Sequence, residues 1–374
     1  MKKYIETLIT VTLLLMLSTI TVCAQDAGLY EQQYESSGAG ELYDVLPQQA
    51  KEIFDRFEIS AKDSQWLKEF NTENIFSVVV DFLKQGIKKP LGVFLSLLGI
   101  VLLCAAVNGM GELRLQNDGA VDFIAALAVA TAVLAPLHTT IEACVSAIKA
   151  NGAFMLSFVP VFTAVVAANG QAATAAGSSA VLLIAAEITV SVISFIIMPL
   201  CGCYLAICLC TAAHPLMSRS EIADYIQKAA NWILGLTLTV FLGILSVQTS
   251  ISSAADTVSA RAVKFAVGSA VPVVGASVSE ALGTVKSCLG LLKTSVGIYG
   301  VIAIAVMLLP VVLELVLWRA AMVGGCIASN LFGCQKITAL LKSVDSVLAV
   351  LLGIVLYCVI LFIIALTIVT KAGG

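Results

Sequence analysis

The sequence predicts an all-α, polytopic helical membrane protein with about seven transmembrane helices, an amphipathic or re-entrant helix pair and a short extracytoplasmic helical head. Three observations carry that expectation. Of 374 residues, 59% are apolar and 12% are charged, about half the ~25% charged content of a soluble domain. Mean hydropathy is +1.00. Charge is also unevenly placed: residues 25–89 hold 12 of the 24 acidic and 7 of the 21 basic groups, and residues 90–374 hold 11 and 12. So few charges cannot cover a water-soluble surface of this size. Composition therefore excludes a soluble enzyme, a basic nucleic-acid binder and a disordered chain. The chain divides into a signal peptide at 1–24, a polar helical segment at 25–89 and a polytopic membrane domain at 90–374.

Met1-Lys2-Lys3 gives a positive start, residues 8–22 are apolar apart from threonine and serine, and Val22-Cys23-Ala24 precedes Gln25. That is the order of an export signal and its cleavage site. The stretch is shorter than the ~20 apolar residues of a full crossing. An uncleaved anchor and a lipid-anchored Cys23 are the alternative readings.

In the head, Ser36-Ser37-Gly38 marks a flexible linker. Ile53, Phe54 and Phe57, then Trp66, Leu67 and Phe70, recur at helical spacing. Pro47 suits a helix start, and Asn71-Thr72 with Glu73 begins another helix. Helices this short build no independent core, so their apolar faces are expected to rest on the chain's own membrane domain, on lipid or on a partner.

Apolar segments follow at 91–107, 123–137, 153–168, 181–213, 232–247, 296–318 and 347–370. The fourth exceeds one straight crossing of a ~30 Å core at 1.5 Å per residue. With Pro199 and Gly202 in its middle, it reads as a long kinked helix or as a tight hairpin. Loop lysines and arginines divide six against six under either reading, so charge bias assigns no orientation. Between 247 and 296 the pattern changes. Ser279, Gly283, Lys286, Gly290 and Lys293 fall on one helical stripe, and Leu282, Val285, Leu289, Leu292 and Val296 on the opposite one. Residues 252–268 are also helical in pattern, and Pro272 to Gly275 interrupts the two. A re-entrant pair or two interfacial helices both fit.

Two carboxylates lie at membrane depth, Glu187 and Glu314. Ionisable groups there are costly and mark a pathway or a buried partner. Glu314 has Trp318 and Arg319 about one turn on, but an i, i+5 offset makes direct pairing with Arg319 poor, and a contact to another helix is expected. Glu187 has no nearby base, so a proton-coupled pathway role is a candidate. Arg261, Lys264, Lys286 and Lys293 form a basic face suited to anionic headgroups at roughly 1 kcal/mol each, or to a cytoplasmic ATPase. Cys201-Gly202-Cys203 and Cys208-Leu209-Cys210 resemble paired metal ligands, but in an apolar run cysteine serves as a small apolar residue. The sequence carries no P-loop, zinc signature or nucleophile–base pair. No catalytic residue, metal or cofactor is expected.

Phe241-Leu242-Gly243, Ser246-Val247-Gln248, Asp256, Arg261 and Lys264-Phe265 stand in an order that closely resembles the stage III sporulation protein AE family. The likeness continues through Gly268, Val271-Pro272-Val273-Val274-Gly275, Ser279-Glu280-Ala281, Leu291-Leu292-Lys293, and Val296-Gly297 with Gly300. Val159-Pro160 and Ala167-Ala168-Asn169-Gly170 extend it towards the amino end. Ala262-Val263, Ser269 and Glu280 depart from the family's usual residues at those positions. The resemblance implies a non-enzymatic, permease-like or export-gate-like subunit of a secretion-like channel complex in the mother-cell membrane around the forespore. Its implied partners are the other membrane subunits of one sporulation operon and a cytoplasmic ATPase, together with the bilayer; a homo-oligomer is a further possibility. The alternative is an autonomous small-solute permease.

Overall fold

The computed structural model describes residues 34–35, 37–62, 72–109, 118–213, 221–270 and 275–372. The signal peptide, the Trp66-Leu67-Phe70 face and Pro272 lie outside them. Every regular element among the described residues is helical.

Among its described residues the head opens with a 3₁₀ turn at Ala39–Tyr43 and helix α1 at Gln48–Arg56. Pro47 precedes α1 as its N-cap, where a missing N–H costs nothing. Ala50, Ile53 and Phe54 line the buried face of α1. Phe54 meets Tyr299 edge-on, with ring centroids 5.1 Å apart and planes at 82°, so this face rests on the chain's own membrane domain. Helix α2, Thr72–Gly86, begins where the sequence places it, and Arg56 of α1 pairs with Asp81 of α2 at 2.8 Å.

The membrane domain contains α3 (Lys88–Gly109), α4 (Asp118–Ala168), α5 (Ala172–Val192), a π turn (Ile193–Ile197), α6 (Met198–Ala213), α7 (Glu221–Ala270), α8 (Gly275–Leu331) and α9 (Gln335–Lys371). Counting α5 through the π turn into α6 as one, six helices among the described residues are long and apolar enough to cross a membrane. The sequence-based count is about seven, and the difference has a physical cause. Segments 123–137 and 153–168 belong to the single helix α4. The polar stretch between them, which reads as a loop, is one face of that helix. His138, Thr139, Glu142 and Lys149 point outward, while Leu137, Thr140, Cys144 and Ile148 are buried at helical spacing.

Segment 181–213 is continuous and not a hairpin. Its π turn ends two residues before Pro199, and a one-residue register change is a known accommodation near a proline that lacks its N–H. Residues 252–268 and 279–296 are not a separate pair either. They are the end of α7 and the start of α8.

Helices α8 and α9 form the centre. They join through Gly333, whose φ of +73° suits the left-handed helix terminator that glycine adopts without strain. Ser329 and Thr338 brace that turn, hydroxyl to hydroxyl, at 2.7 Å. Helix α4 lays a ladder of Phe154, Phe158 and Phe162, 5.5 and 5.4 Å apart, with Phe158 against the bare backbone of Gly300 on α8.

Two charged layers bound this bundle. Arg319 on α8 bonds both carboxylate oxygens of Asp345 on α9, at 2.9 and 3.3 Å. At the other level Gly297 on α8 touches Thr370 on α9, next to Lys293 and Lys371. Between Lys293 and Arg319 the one charged residue is Glu314, and between Asp345 and Lys371 there is none. Each interval rises about 39 Å, close to a bilayer of ~30 Å hydrocarbon or ~40–45 Å with headgroups.

Candidate functional site

At the Lys293 level three helix ends and two helix interiors meet. Helix α4 stops at Ala168 because Gly170 turns left-handed, at φ +76°. Gly170 N–H donates to the Ala167 carbonyl at 2.9 Å and Gln171 N–H to Val166 at 3.3 Å, the pairing of a Schellman terminator. Helix α5 then starts with Gln171 at its N-cap, and the Gln171 side chain makes no capping bond to it.

The missing cap arrives from another helix. Asp256, in the middle of α7, accepts the Ala173 N–H at 2.9 Å and the Thr174 N–H at 2.8 Å, one on each carboxylate oxygen. A carboxylate there meets both the orphan donors and the positive end of the helix. Asp256 is 7% exposed, so the charge is held by bonds and not by water.

Lys293 of α8 performs the complementary task. Its ammonium donates to Gln171 Oε1 at 2.8 Å and to the Ala372 carbonyl at 2.5 Å. Ala372 is the C-cap of α9, where carbonyls gather and a cation is favoured. Lys293 is 3% exposed, and the Asp256 carboxylate is near enough to act on it electrostatically.

Small and hydroxylated residues surround the pair. A Cβ at Gly177 would sit 2.6 Å from Gln248 Nε2 and 2.8 Å from Ser252 Oγ, so a side chain there would displace these two polar groups of α7. Asn169 Oδ1, Thr174 Oγ1, Thr249 Oγ1 and Ser295 Oγ are buried without a hydrogen-bond partner. Between α7 and the end of α9 lies a hollow of about 220 Å³ that includes Ser246, Thr249, Ser250, Ser253, Lys371 and Ala372 in its lining.

This arrangement binds and positions. Asp256 has both oxygens occupied by backbone donors, so it serves to position α5 against α7.

The sequence-singled residues fall in several places. Glu187 is exposed on α5, next to the exposed Ile184 and Ile188. Glu314 is half-buried and accepts a bond from Trp318 Nε1 at 3.3 Å, one turn along its own helix. Arg319 turns instead to Asp345. The expected basic face divides: Arg261 is exposed on α7, whereas Lys293 points inward. Lys264 and Lys286 lie on α7 and α8, with side chains outside the described residues. Gly275 opens α8, and Pro272 precedes it outside the described residues. Cys201 is buried and Cys203 exposed, so these two cysteines diverge. Among the described residues no cluster of three or more His, Cys, Asp or Glu side chains could hold a metal ion.

Asp256 and Lys293 stand among the residues quoted for the family resemblance, as do Asn169-Gly170, Gln248 and Gly297. The family model described as stage III sporulation protein AE matches residues 60–373. The chain belongs to the stage III sporulation protein AE family. A relative in Bacillus subtilis (strain 168), named stage III sporulation protein AE, is 28% identical over 238 residues. That alignment takes in 63% of this chain and 59% of the relative, so the chain matches under two thirds of that protein's length. No solved structure matches. The family match contains the whole Asp256–Lys293 site; the described part of the head before residue 60 lies outside it.

What sequence reading missed is the pairing itself. The one usable signal was a single carboxylate, Asp256, inside the hydroxyl-rich run 246–257. A lone acid in such a run on a membrane helix calls for a partner on another helix.

Proposed function

We propose that this chain is a non-enzymatic, multi-pass subunit of the sporulation channel complex joining mother cell and forespore, seated in the mother-cell membrane around the forespore. Family membership supports the sporulation role. The observation that carries the subunit reading is Glu187, an exposed carboxylate on an apolar face of α5. A charge at membrane depth costs about 2.5–3.5 kcal/mol at a helix centre unless something pairs with it. A neighbouring subunit that covers α5 removes that cost; a solitary permease leaves it facing lipid. In this reading the other membrane subunits of the operon, and a second copy of this chain, are the candidates to cover α5. The basic residues Arg261, Lys264 and Lys286 would face headgroups or a cytoplasmic ATPase.

The test is an in-frame deletion scored for heat-resistant spores and forespore morphology, then complemented with wild type or Glu187→Gln. Loss of spores with small, failing forespores, restored by wild type, is expected. Normal spore yield in the deletion strain overturns the proposal. Solute transport by the chain reconstituted alone would favour the autonomous permease instead.

A further inference from the structure

The Asp256–Lys293 clamp neutralises itself. Asp256 brings −1 to the end of α5, which carries about +0.5, and Lys293 brings +1 to the end of α9, which carries about −0.5. The sum over these four is zero, and one charge is left beside them. Lys371, in the last turn of α9, is exposed, makes no ion pair among the described residues and lines the hollow next to Ala372.

The rest of that hollow is hydroxylic. Four hydroxyl residues of α7, Ser246, Thr249, Ser250 and Ser253, line it. Ser250 donates to the Ser246 carbonyl at 2.8 Å. Thr249 is 5% exposed and its Oγ1 has no partner. A buried hydroxyl left without a bond is destabilising, so a ligand acceptor at this point would be favoured. The Ser246 and Ser253 hydroxyls donate no bond within the described residues either. Donors plus one cation that is unpaired among the described residues select an oxyanion. The volume, about 220 Å³, is below the ~300–1,000 Å³ of sites that enclose drug-sized ligands and suits a headgroup.

The position selects among oxyanions. The hollow lies at the Lys293–Lys371 charged layer, where the uncharged intervals of α8 and α9 end, and that is the depth at which lipid phosphates stand. We propose that the hollow between α7 and the end of α9 seats the phosphodiester of an anionic membrane lipid, held by Lys371 and by the hydroxyls of Ser246, Thr249 and Ser253. This inference is independent of the channel-complex reading.

The test uses the full chain in nanodiscs of phosphatidylglycerol or of phosphatidylcholine, released into native mass spectrometry. Wild type is expected to retain one phosphatidylglycerol, preferentially over phosphatidylcholine. Lys371→Gln lowers retention about fivefold, and Lys371→Arg restores it. Thr249→Val, equal in size, lowers retention while the melting temperature in phosphatidylcholine stays at or above that of wild type, which separates loss of the site from loss of the fold. Retention by Lys371→Gln and Thr249→Val equal to wild type overturns the proposal. So does displacement of the lipid by free inorganic phosphate, which would assign the hollow to a soluble anion. Absence of any retained lipid overturns it as well.

Discussion

Asp256 and Lys293, on different helices, grip one four-residue turn from two sides. Asp256 takes the backbone N–H groups of Ala173 and Thr174, and Lys293 takes the side chain of Gln171 and, beyond it, the last carbonyl of α9 at Ala372. Four helices, α5, α7, α8 and α9, are thereby tied together at one level by two side chains.

The clamp is expected to behave as a unit. Asp256→Asn keeps the shape but removes the anion and presents an amide N–H₂ to one of the two backbone donors, at a cost of about 1.5–3 kcal/mol. Lys293→Met leaves the buried Gln171 amide and the α9 terminus without their donor, at a similar cost. Because both act on the same turn, the double variant should fall short of the sum of the two by about 0.5–3 kcal/mol. Unfolding of the four proteins in one detergent measures this, and strict additivity would show that the two bonds are independent.

Close backbone approach gives a second expectation. A methyl at Gly300 enters the Phe158 ring, and one at Gly297 enters Thr370. Gly300→Ala and Gly297→Ala should each destabilise by about 1–3 kcal/mol. Gly353 on α9 has nothing within 4 Å of a built Cβ, so Gly353→Ala should gain about 0.5–1 kcal/mol from helix propensity alone. The opposite signs, read by thermal unfolding, separate packing from propensity.

Asn151 on α4 is 0% exposed, and neither atom of its amide has a partner. Asn151→Leu, which keeps the branched shape and the number of heavy atoms, removes about 1–3 kcal/mol of unsatisfied polarity and should raise the melting temperature. If spore yield falls in the same variant, the amide is retained for activity at the expense of stability. A variant that is both less stable and inactive would contradict the unpaired state of this side chain.

Much of this architecture was legible in the sequence, because apolar run length reports helices directly. The class, the start of α2 at Thr72 and the apolar face of α1 all follow from spacing. Helix number was not legible. Pro136 and the polar residues 138–149 look like a chain break, yet His138, Glu142, Ser146 and Lys149 share one exposed face of α4. The candidate site was legible in part. Asp256 and Lys293 were visible as residues of a resembled pattern, but Gln171, Ala173, Thr174 and Ala372 lie far from them along the chain. A bond to a backbone N–H or carbonyl leaves no trace in residue type, so no spacing rule could have found it.

Tyr43 donates to Asp55 at 2.6 Å in the head, and that bond holds its phenol above the ordinary value of 10.0. The folded head therefore keeps a proton that the unfolded chain releases first. The contribution is complete below the ordinary tyrosine value and is lost as pH rises through the raised one. Alkaline unfolding of the head should shift to lower pH in Tyr43→Phe relative to wild type, and an unchanged midpoint would exclude the link.

Docking of the head is the remaining test, and it depends on one ring pair. Phe54 is 1% exposed and meets Tyr299 of α8, while Gly38 lies against Val161 of α4. The helices of the head are too short to hold a core without that surface. Truncation of a buried phenylalanine costs about 3–5 kcal/mol, more than a two-element head can lose. Phe54→Ala should therefore release residues 34–62 from the bundle while α8 and α9 remain folded. Limited proteolysis of the full chain in detergent reads the difference: rapid cleavage within the head, with the membrane domain protected at the wild-type rate. Phe54→Leu, which keeps most of the apolar volume, should be cleaved at an intermediate rate. Equal cleavage of wild type and Phe54→Ala would mean that the head is held by other contacts and that the Tyr299 contact does not anchor it.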